Sequence, residues 1–264
     1  MSEYLTAVIL GIVEGLTEFL PISSTGHLIL ANQLLGLNER DWATFDVMIQ
    51  LGAILAIVCL YFGRLWKVLV GLPHSPAARQ FALVILAALL PSLVLGALFG
   101  GMIKDALFSP LVVGITLILG GIIILAVEHK HLAPKYFDIE SMPVRTGLMI
   151  GLAQAVSMIP GTSRSGATII GGLLLGLERK TAAEFSFFLA IPTMLAAFSH
   201  EAYSNRHELD FSQAGIIAVG FAISFISALL VVKPFLAIVS RIGFAPFAYY
   251  RVALGTLVLS LLWL

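Results

Sequence analysis

Residues 14–27 read EGLTEFLPISSTGH, and residues 160–168 read PGTSRSGAT. Each run lies inside a hydrophobic segment, residues 3–37 and residues 144–177, and its Pro, Gly, Ser and Thr residues break that segment in the middle. Each half-segment is too short to cross about 30 Å of hydrocarbon alone. We therefore predict two helix–break–helix hairpins, each entering and leaving the membrane on one side with its broken tip buried in protein.

The composition of the whole chain is typical of an integral membrane protein. Apolar residues make up 59% of the 264 positions and charged residues 11%, whereas soluble domains are about half apolar and about a quarter charged. We predict an all-α polytopic fold in one membrane domain, residues 1–264. Six further stretches are long enough to span a bilayer, near residues 44–63, 81–101, 111–128, 183–203, 213–235 and 247–264.

The two halves of the chain resemble one another. A shift of 140 residues gives 12 identities in 46 ungapped positions between residues 11 and 56, among them Ser23 with Ser163 and Gly26 with Gly166. We predict repeat 1 over about residues 1–128 and repeat 2 over about residues 144–264, each a re-entrant hairpin plus three transmembrane helices. Three crossings is an odd number, so the second repeat is expected upside down, with both hairpin tips meeting near the bilayer midplane.

The basic residues of the loops predict the orientation of the chain. Ten fall on one side of the membrane and three on the other, so the richer side is expected in the cytoplasm. The first hairpin then enters from the outer side. The ten are Arg64, Lys67, Arg79, Lys130, Lys135, Arg145, Arg179, Lys180, Lys233 and Arg241, and the three are Arg40, Lys104 and Arg206.

The first tip carries groups suited to acid–base and nucleophilic chemistry. Glu14 and Glu18 are four residues apart and share one face of the first half-helix. Charges inside a membrane are costly and indicate function by default. Ser23, Ser24 and Thr25 are suited to cap the next half-helix, and His27 follows in its first turn. The alternative is a water-lined turn whose carboxylates pair only with structural partners.

The second tip carries groups suited to binding an anion. Gly161, Ser163 and Ser165 are small, which leaves backbone N–H groups open at a helix start. Arg164 adds a planar fork that fits phosphate oxygens. A glutamate of the facing tip would compensate the buried Arg164 charge, with or without a bound phosphate. Together the two tips favour phosphoryl transfer, with Arg164 stabilising charge.

Several other classes of function are not indicated. No GxxxxGK[ST] phosphate loop is present, so nucleotide hydrolysis is not expected. The chain has no basic face for nucleic acid, and its single cysteine, Cys59, excludes a CxxC metal or redox site. We expect no organic cofactor. Asp46 and Gln50 share a face of the first full span, either as partners of the glutamates or in a plain interhelical hydrogen bond.

The two tip sequences closely resemble the signature motifs of the bacterial undecaprenyl-pyrophosphate phosphatase family, the bacitracin-resistance (BacA) type. The likeness extends over essentially the full chain, including EFSF at 184–187 and FAYYR at 247–251. It implies a hydrolase of the bacterial cytoplasmic (inner) membrane, with its active site open to the outer side. Such an enzyme converts undecaprenyl pyrophosphate to the monophosphate carrier lipid for peptidoglycan synthesis, and confers bacitracin resistance.

The resemblance also implies the site residues. By the family pattern these are Glu14, Glu18, Ser24, His27, Ser163, Arg164 and Thr168. Our hypothesis makes Ser24 the nucleophile and His27 its proton partner, and direct attack by water is the alternative. Substrate phosphate would be held by Arg164 and the small residues around it.

The resemblance implies a divalent cation as well, Mg²⁺ or Ca²⁺. Glu14 and Glu18 are the natural place for it, because hard cations prefer carboxylate oxygen. The sequence leaves the oligomeric state open, a homodimer included. A transporter or flippase of a polyprenyl phosphate is the alternative function, because inverted repeats with broken helices are also a transporter plan.

Overall fold

The protein is described by a computed structural model covering residues 2–37, 39–204 and 214–262, without the side chains of 39–41, 43, 104–105 and 200–204. The side chains of Arg40, Lys104 and Arg206 therefore lie outside the described residues, as does the predicted span end at residues 263–264. The described chain folds into eleven α-helices: α1 Glu3–Thr17, α2 Ser24–Leu34, α3 Glu39–Leu60, α4 Phe62–Gly71, α5 Pro76–Leu107, α6 Pro110–His129, α7 Val144–Ala155, α8 Arg164–Leu174, α9 Arg179–Ser204, α10 Ala214–Ile242 and α11 Ala245–Leu261.

Both predicted breaks are present. The first separates α1 from α2, and the second separates α7 from α8 and begins with a short 3-10 turn, Val156–Met158. The two tips end in the same way, because the serines preceding α2 and α8 accept hydrogen bonds from Gly26 N at 3.2 Å and Gly166 N at 3.0 Å. These serines, Ser23 and Ser163, have φ angles of 69° and 75°. Non-glycine residues rarely adopt this conformation, and it tends to persist at functional sites.

The structure has four helices that are long and apolar enough to cross a membrane by themselves, within the residues it describes. They are Pro76–Ile103, Pro110–His129, Arg179–Ser199 and Ala214–Ile242. The last predicted span is the apolar helix Ala245–Leu261, whose 17 residues make it somewhat shorter than the ~20 residues of an ordinary span. Large apolar side chains on the outer faces of these helices are exposed, for example Leu90, Leu119 and Leu230. Such continuous apolar surfaces suit contact with lipid.

The predicted span near residues 44–63 falls largely within α3, and the chain bends sharply where that helix ends. Thr44–Leu60 and Phe62–Gly71 meet at an angle of 74°. Polar contacts hold the break: the Tyr61 hydroxyl donates to Glu184 Oε1 at 3.3 Å, and Arg64 forms ion pairs with Glu140 at 2.9 Å and Glu184 at 3.3 Å. If α3 continued straight, Arg64 would be moved away from both carboxylates. Hydropathy does not depend on such ion pairs, so it does not predict the bend.

Helices from the two halves of the chain pack closely in pairs. α1 lies along α10, and α7 lies along α5. Both contacts run parallel: Gly11 faces Gly220 and Gly15 faces Ser224, while Gly147 faces Val84 and Gly151 faces Ala88. In the third close pair, α6 and α11 run antiparallel, with Gly114 near Gly255 and Gly121 near Ala248. Glycine at each crossing lets two backbones approach closely, as is common between membrane helices.

The largest buried cluster holds the first tip against the second half. Phe19 is fully buried and meets Phe187 of α9 edge-on, with ring centroids 5.4 Å apart. Phe235 of α10 extends the cluster behind Phe187, at 6.0 Å. The phenylalanines of α9 therefore pack in the core, and the Ser186 side chain between them is left to face the polar tips.

Candidate active site between the two broken segments

The two tips border one cavity of about 230 Å³. Residues from the first break and the start of α2 line one part of it, and residues from the second break line another. Gln50 of α3 and Met194 of α9 contribute further wall. The polar residues of the lining are Glu18, Ser23, Ser24, Thr25, Gln50, Ser157, Ser163 and Arg164.

A carboxylate, a guanidinium and a hydroxyl form the centre of this cavity. Arg164 Nη2 lies 2.7 Å from Glu18 Oε1, and both side chains are largely buried, with 14% and 6% exposed. The second oxygen of Glu18, Oε2, accepts a hydrogen bond from the Ser24 hydroxyl. The Glu18 carboxylate therefore compensates the buried Arg164 charge, as one sequence interpretation predicted, and also holds the hydroxyl of the predicted nucleophile.

Ser186 of α9 holds the other side of Arg164. Arg164 Nη1 donates to the Ser186 carbonyl oxygen at 2.8 Å and to its hydroxyl at 3.3 Å. Thr168, fully buried one turn further along α8, donates to the Ser186 hydroxyl at 2.8 Å. In this structure Thr168 thus supports the Arg164 side chain through Ser186.

Glu14 lies one turn before Glu18 and is fully buried. Neither of its carboxylate oxygens has a hydrogen-bond partner among the described residues. An isolated buried carboxylate is costly, so its presence favours a bound proton or cation beside it. Asp46 of α3, the nearby acid considered from sequence, accepts a hydrogen bond from Asn32 at 3.0 Å, while Gln50 lines the cavity itself.

Both ring nitrogens of His27 have partners other than Ser24. Nδ1 lies 2.7 Å from the Ser23 carbonyl oxygen, and Nε2 lies 2.7 Å from the Tyr250 hydroxyl. A carbonyl oxygen only accepts, so Nδ1 carries the proton, and in the neutral ring Nε2 accepts from Tyr250. The two rings also stack, with centroids 5.6 Å apart. The predicted role of His27 as proton partner of Ser24 stays a prediction.

The remaining predicted residues shape the tips. Ser165 donates to the Leu20 carbonyl oxygen at 2.7 Å and so joins the second tip to the first. Ser163, Thr25 and Gly161 line the cavity. Gly161 has a φ of 82°, and a Cβ there would overlap Thr116 of α6, so glycine is required by conformation and by space.

Arg251 of α11 is the largest feature that sequence reasoning missed. Its side chain is fully buried, and it donates five hydrogen bonds, all to main-chain carbonyl oxygens. Two go to α6 and three to the tips, and the acceptors are Leu117 at 3.2 Å, Thr116 at 3.0 Å, Pro21 at 3.1 Å, Gly161 at 3.1 Å and Thr162 at 2.9 Å. One guanidinium, carried by α11, therefore holds both tips against α6.

The residues required for a metal ion are present only in part. The described residues contain no group of three His, Cys, Asp or Glu side chains placed to hold a metal ion. Glu14 nevertheless offers two carboxylate oxygens without hydrogen bonds, next to the Glu18 turn. This donor chemistry fits a hard divalent cation whose other ligands are water or phosphate oxygen.

Fold and site together define a multi-pass helical membrane protein with a buried arginine–carboxylate–serine site between two broken segments. The sequence model described as "Bacitracin resistance protein BacA" matches residues 7–257. The chain therefore belongs to the BacA family. It is 53% identical over 258 residues to the undecaprenyl-diphosphatase of Rhodopseudomonas palustris (strain BisB18), covering 97% of this chain and 96% of that protein.

Two further relatives carry the same name. The undecaprenyl-diphosphatase of Bradyrhizobium diazoefficiens is 52% identical over 259 residues, covering 97% of each chain. That of Caulobacter sp. (strain K31) is 48% identical over 267 residues, covering 100% of this chain and 99% of the relative.

Proposed function

We propose that the protein hydrolyses undecaprenyl pyrophosphate to undecaprenyl phosphate and inorganic phosphate, and so recycles the carrier lipid of peptidoglycan synthesis. The observation that carries this proposal is Glu18, whose two oxygens contact Ser24 and Arg164. The proposed nucleophile Ser24, its proton acceptor Glu18 and the phosphate-binding guanidinium of Arg164 thus border one small cavity. Membership of the BacA family and full-length similarity to undecaprenyl-diphosphatases support the same conclusion.

The contacts support a two-step reaction. Ser24 Oγ attacks the terminal phosphorus, its proton passes to Glu18, and the bond to the bridging oxygen breaks, releasing undecaprenyl phosphate. Water then cleaves the phosphoserine, returning Ser24 and giving inorganic phosphate. Glu18 is the acceptor favoured by this geometry because its carboxylate already binds the Ser24 hydroxyl.

Arg164 stabilises the negative charge that develops on the transferring phosphoryl group. Its guanidinium lines the cavity and is oriented by Ser186, so the fork is fixed before substrate binds. Phosphate oxygens would compete with Glu18 for Nη2. Phosphate binding would therefore weaken the ion pair between Arg164 and Glu18 at the stage when the Glu18 carboxylate accepts the proton of Ser24.

A divalent cation, Mg²⁺ or Ca²⁺, would be held by Glu14 together with Glu18. When bound it would neutralise phosphate charge, as hard cations do in phosphoryl transfer. Without it, a proton bound to Glu14 would offset the cost of burying this carboxylate one turn from Glu18.

The antiparallel pairing of α6 with α11, two helices that the 140-residue shift relates to one another, supports an inverted repeat with two re-entrant hairpins. α1 runs parallel to α10 and α7 runs parallel to α5, and each of these pairs joins a hairpin of one half to a long helix of the other. The 140-residue shift relates α1 to α7 and α5 to α10, so the two pairs are equivalent. With the loop charges, this arrangement favours a site in the cytoplasmic membrane that opens to the outer side.

The test is phosphate release from undecaprenyl pyrophosphate by detergent-purified protein, beside Arg164→Ala and Glu18→Gln. We expect release by the wild type and its loss in both variants. A transporter of polyprenyl phosphate is the competing function, because an inverted repeat suits alternating access. Lipid binding with no phosphate release under Mg²⁺ or Ca²⁺ would refute hydrolysis and favour transport.

A further inference from the structure

A second cavity of about 400 Å³ adjoins the catalytic one. It lies between α5, α9 and the end of α7 with its 3-10 turn. Its long walls are small or apolar side chains: Leu93, Gly96, Ala97, Ala196 and Ala197. Gln154 closes its base, because this buried amide donates to Ser92 of α5 at 2.7 Å. We call this cavity the α5–α9 groove.

The groove and the catalytic cavity adjoin one another at shared residues. Ser157 and Met158 line both, and the neighbours Thr193 and Met194 line one each. The groove is also open along its length, since Leu93, Ala97 and Ala197 are exposed at the surface of the helix bundle. The groove therefore extends from beside the polar tips to the apolar outer surface of the protein.

Two equivalent helix contacts between the halves of the chain differ at this place. The 140-residue shift relates α9 to α3 and α5 to α10. α3 lies against α10 over a long contact, with Gly52 packed on the backbone of Phe221. α5 and α9 touch over a shorter one, and a Cβ added at Gly96 would meet only open space within 4 Å. Of these two contacts related by the shift, the one between α3 and α10 is closed, and the one between α5 and α9, on the side of Arg164, is left open.

We propose that the α5–α9 groove binds the isoprene units nearest the pyrophosphate. This inference rests on the proposed function, since the substrate joins its pyrophosphate covalently to a long apolar chain. The chain has to leave a polar cavity by an apolar path, and the groove supplies one that begins at Ser157 and Met158. Its volume is in the range of small-ligand pockets, about 300–1,000 Å³. The groove thus holds the first few isoprene units, and the rest of the chain lies in the bilayer.

The test compares pyrophosphates of one, three and eleven isoprene units: isopentenyl, farnesyl and undecaprenyl pyrophosphate. Two variants fill the groove from opposite walls, Gly96→Leu and Ala197→Phe. The matched control is Gly101→Leu, on the same helix as Gly96, where an added Cβ also meets open space and which does not line the groove. Phosphate release gives kcat/KM, and binding of farnesyl phosphate is measured on the same samples by thermal shift.

In the wild type we expect kcat/KM to rise at least ~10-fold from isopentenyl to farnesyl pyrophosphate, because apolar burial adds binding energy. Both wall variants should lose that gain and keep the isopentenyl rate within about twofold, while the control matches the wild type. The proposal that the groove binds isoprene units would be overturned if the wall variants kept the wild-type dependence of kcat/KM on chain length. It would also be overturned if they lost kcat/KM equally on all three substrates. If the wild type released no phosphate, the proposed phosphatase activity would be refuted instead. The binding measurement would still test the groove, because the proposal expects the wall variants to bind farnesyl phosphate more weakly than the wild type does.

Discussion

Replacing Arg251 by lysine tests whether one buried guanidinium holds the catalytic tips together. Arg251 donates to carbonyl oxygens of Pro21 on the first tip, Gly161 and Thr162 on the second, and α6 behind them. Lysine keeps the charge but concentrates three donors at one point, so it cannot span both tips and α6. At least two of the five hydrogen bonds should be lost.

The size of the effect follows from those bonds. A hydrogen bond to a charged group contributes about 1.5–3 kcal/mol, so losing two should lower the free energy of unfolding by roughly 3–6 kcal/mol. At about 2–4 °C per kcal/mol, the unfolding temperature should fall by roughly 6–24 °C. Activity should fall further, because a displacement of about 1 Å in a catalytic group costs roughly 100-fold in rate.

Two measurements on detergent-purified protein check this prediction: thermal unfolding, and phosphate release below the unfolding temperature of the variant. Arg241→Lys is the matched control, because it makes the same exchange at an exposed position at the end of α10. We expect the control to match the wild type in both. Wild-type turnover and wild-type unfolding temperature in Arg251→Lys would refute the argument that this residue positions the tips.

Three further predictions, at Ser24, Glu18 and Gly151, separate chemistry from structure. Ser24→Ala should abolish phosphate release while lipid binding stays measurable, and near-normal release would indicate direct attack by water. Glu18→Gln should lower turnover by about 10²–10⁴-fold and unfold more easily, because Arg164 is left buried without its partner. The double variant Glu18→Gln/Arg164→Met should unfold at a higher temperature than Glu18→Gln alone, and a lower one would contradict a buried ion pair. Gly151→Leu should reduce the yield of folded protein by forcing α7 off α5, whereas Gly63→Leu, which points into open space, should not.

The tips could be predicted because their signal is local in the sequence. Pro, Gly and hydroxyl residues interrupting an apolar segment predict a break, and a lone arginine there requires an opposite charge. The structure accordingly shows both breaks and pairs Arg164 with Glu18. Helices α5, α6, α9 and α10 followed equally well from length and hydropathy.

The features that escaped prediction depend on partners distant in the chain. Arg251 contacts main-chain oxygens, which every residue carries, so no pattern of side chains reveals its acceptors. Tyr61 marks a 74° bend within an apolar run. The acids that contact Tyr61 and Arg64 at this bend, Glu140 and Glu184, lie far along the chain. The α5–α9 groove is a space between helices, and hydropathy is the same whether two helices touch or part.

The two tips show how a repeated backbone can hold unlike chemistry. The 140-residue shift superimposes Ser23 on Ser163, and both serines keep the same positive φ and the same cap on the glycine three residues later. At positions that line the cavity, the same shift places Glu18 on Met158 and Ser24 on Arg164.

The first tip thus carries a carboxylate and a hydroxyl, and the second tip carries the guanidinium of Arg164. Two tips of the first kind would place glutamates against glutamates with no anion site, and two of the second would bury arginines without counter-charges. Facing one another, each tip supplies the charge that makes the other tolerable in a membrane. The pairing of Glu18 with Arg164 therefore balances two buried charges and, in the function we propose, sets the site for phosphoryl transfer through the same contact.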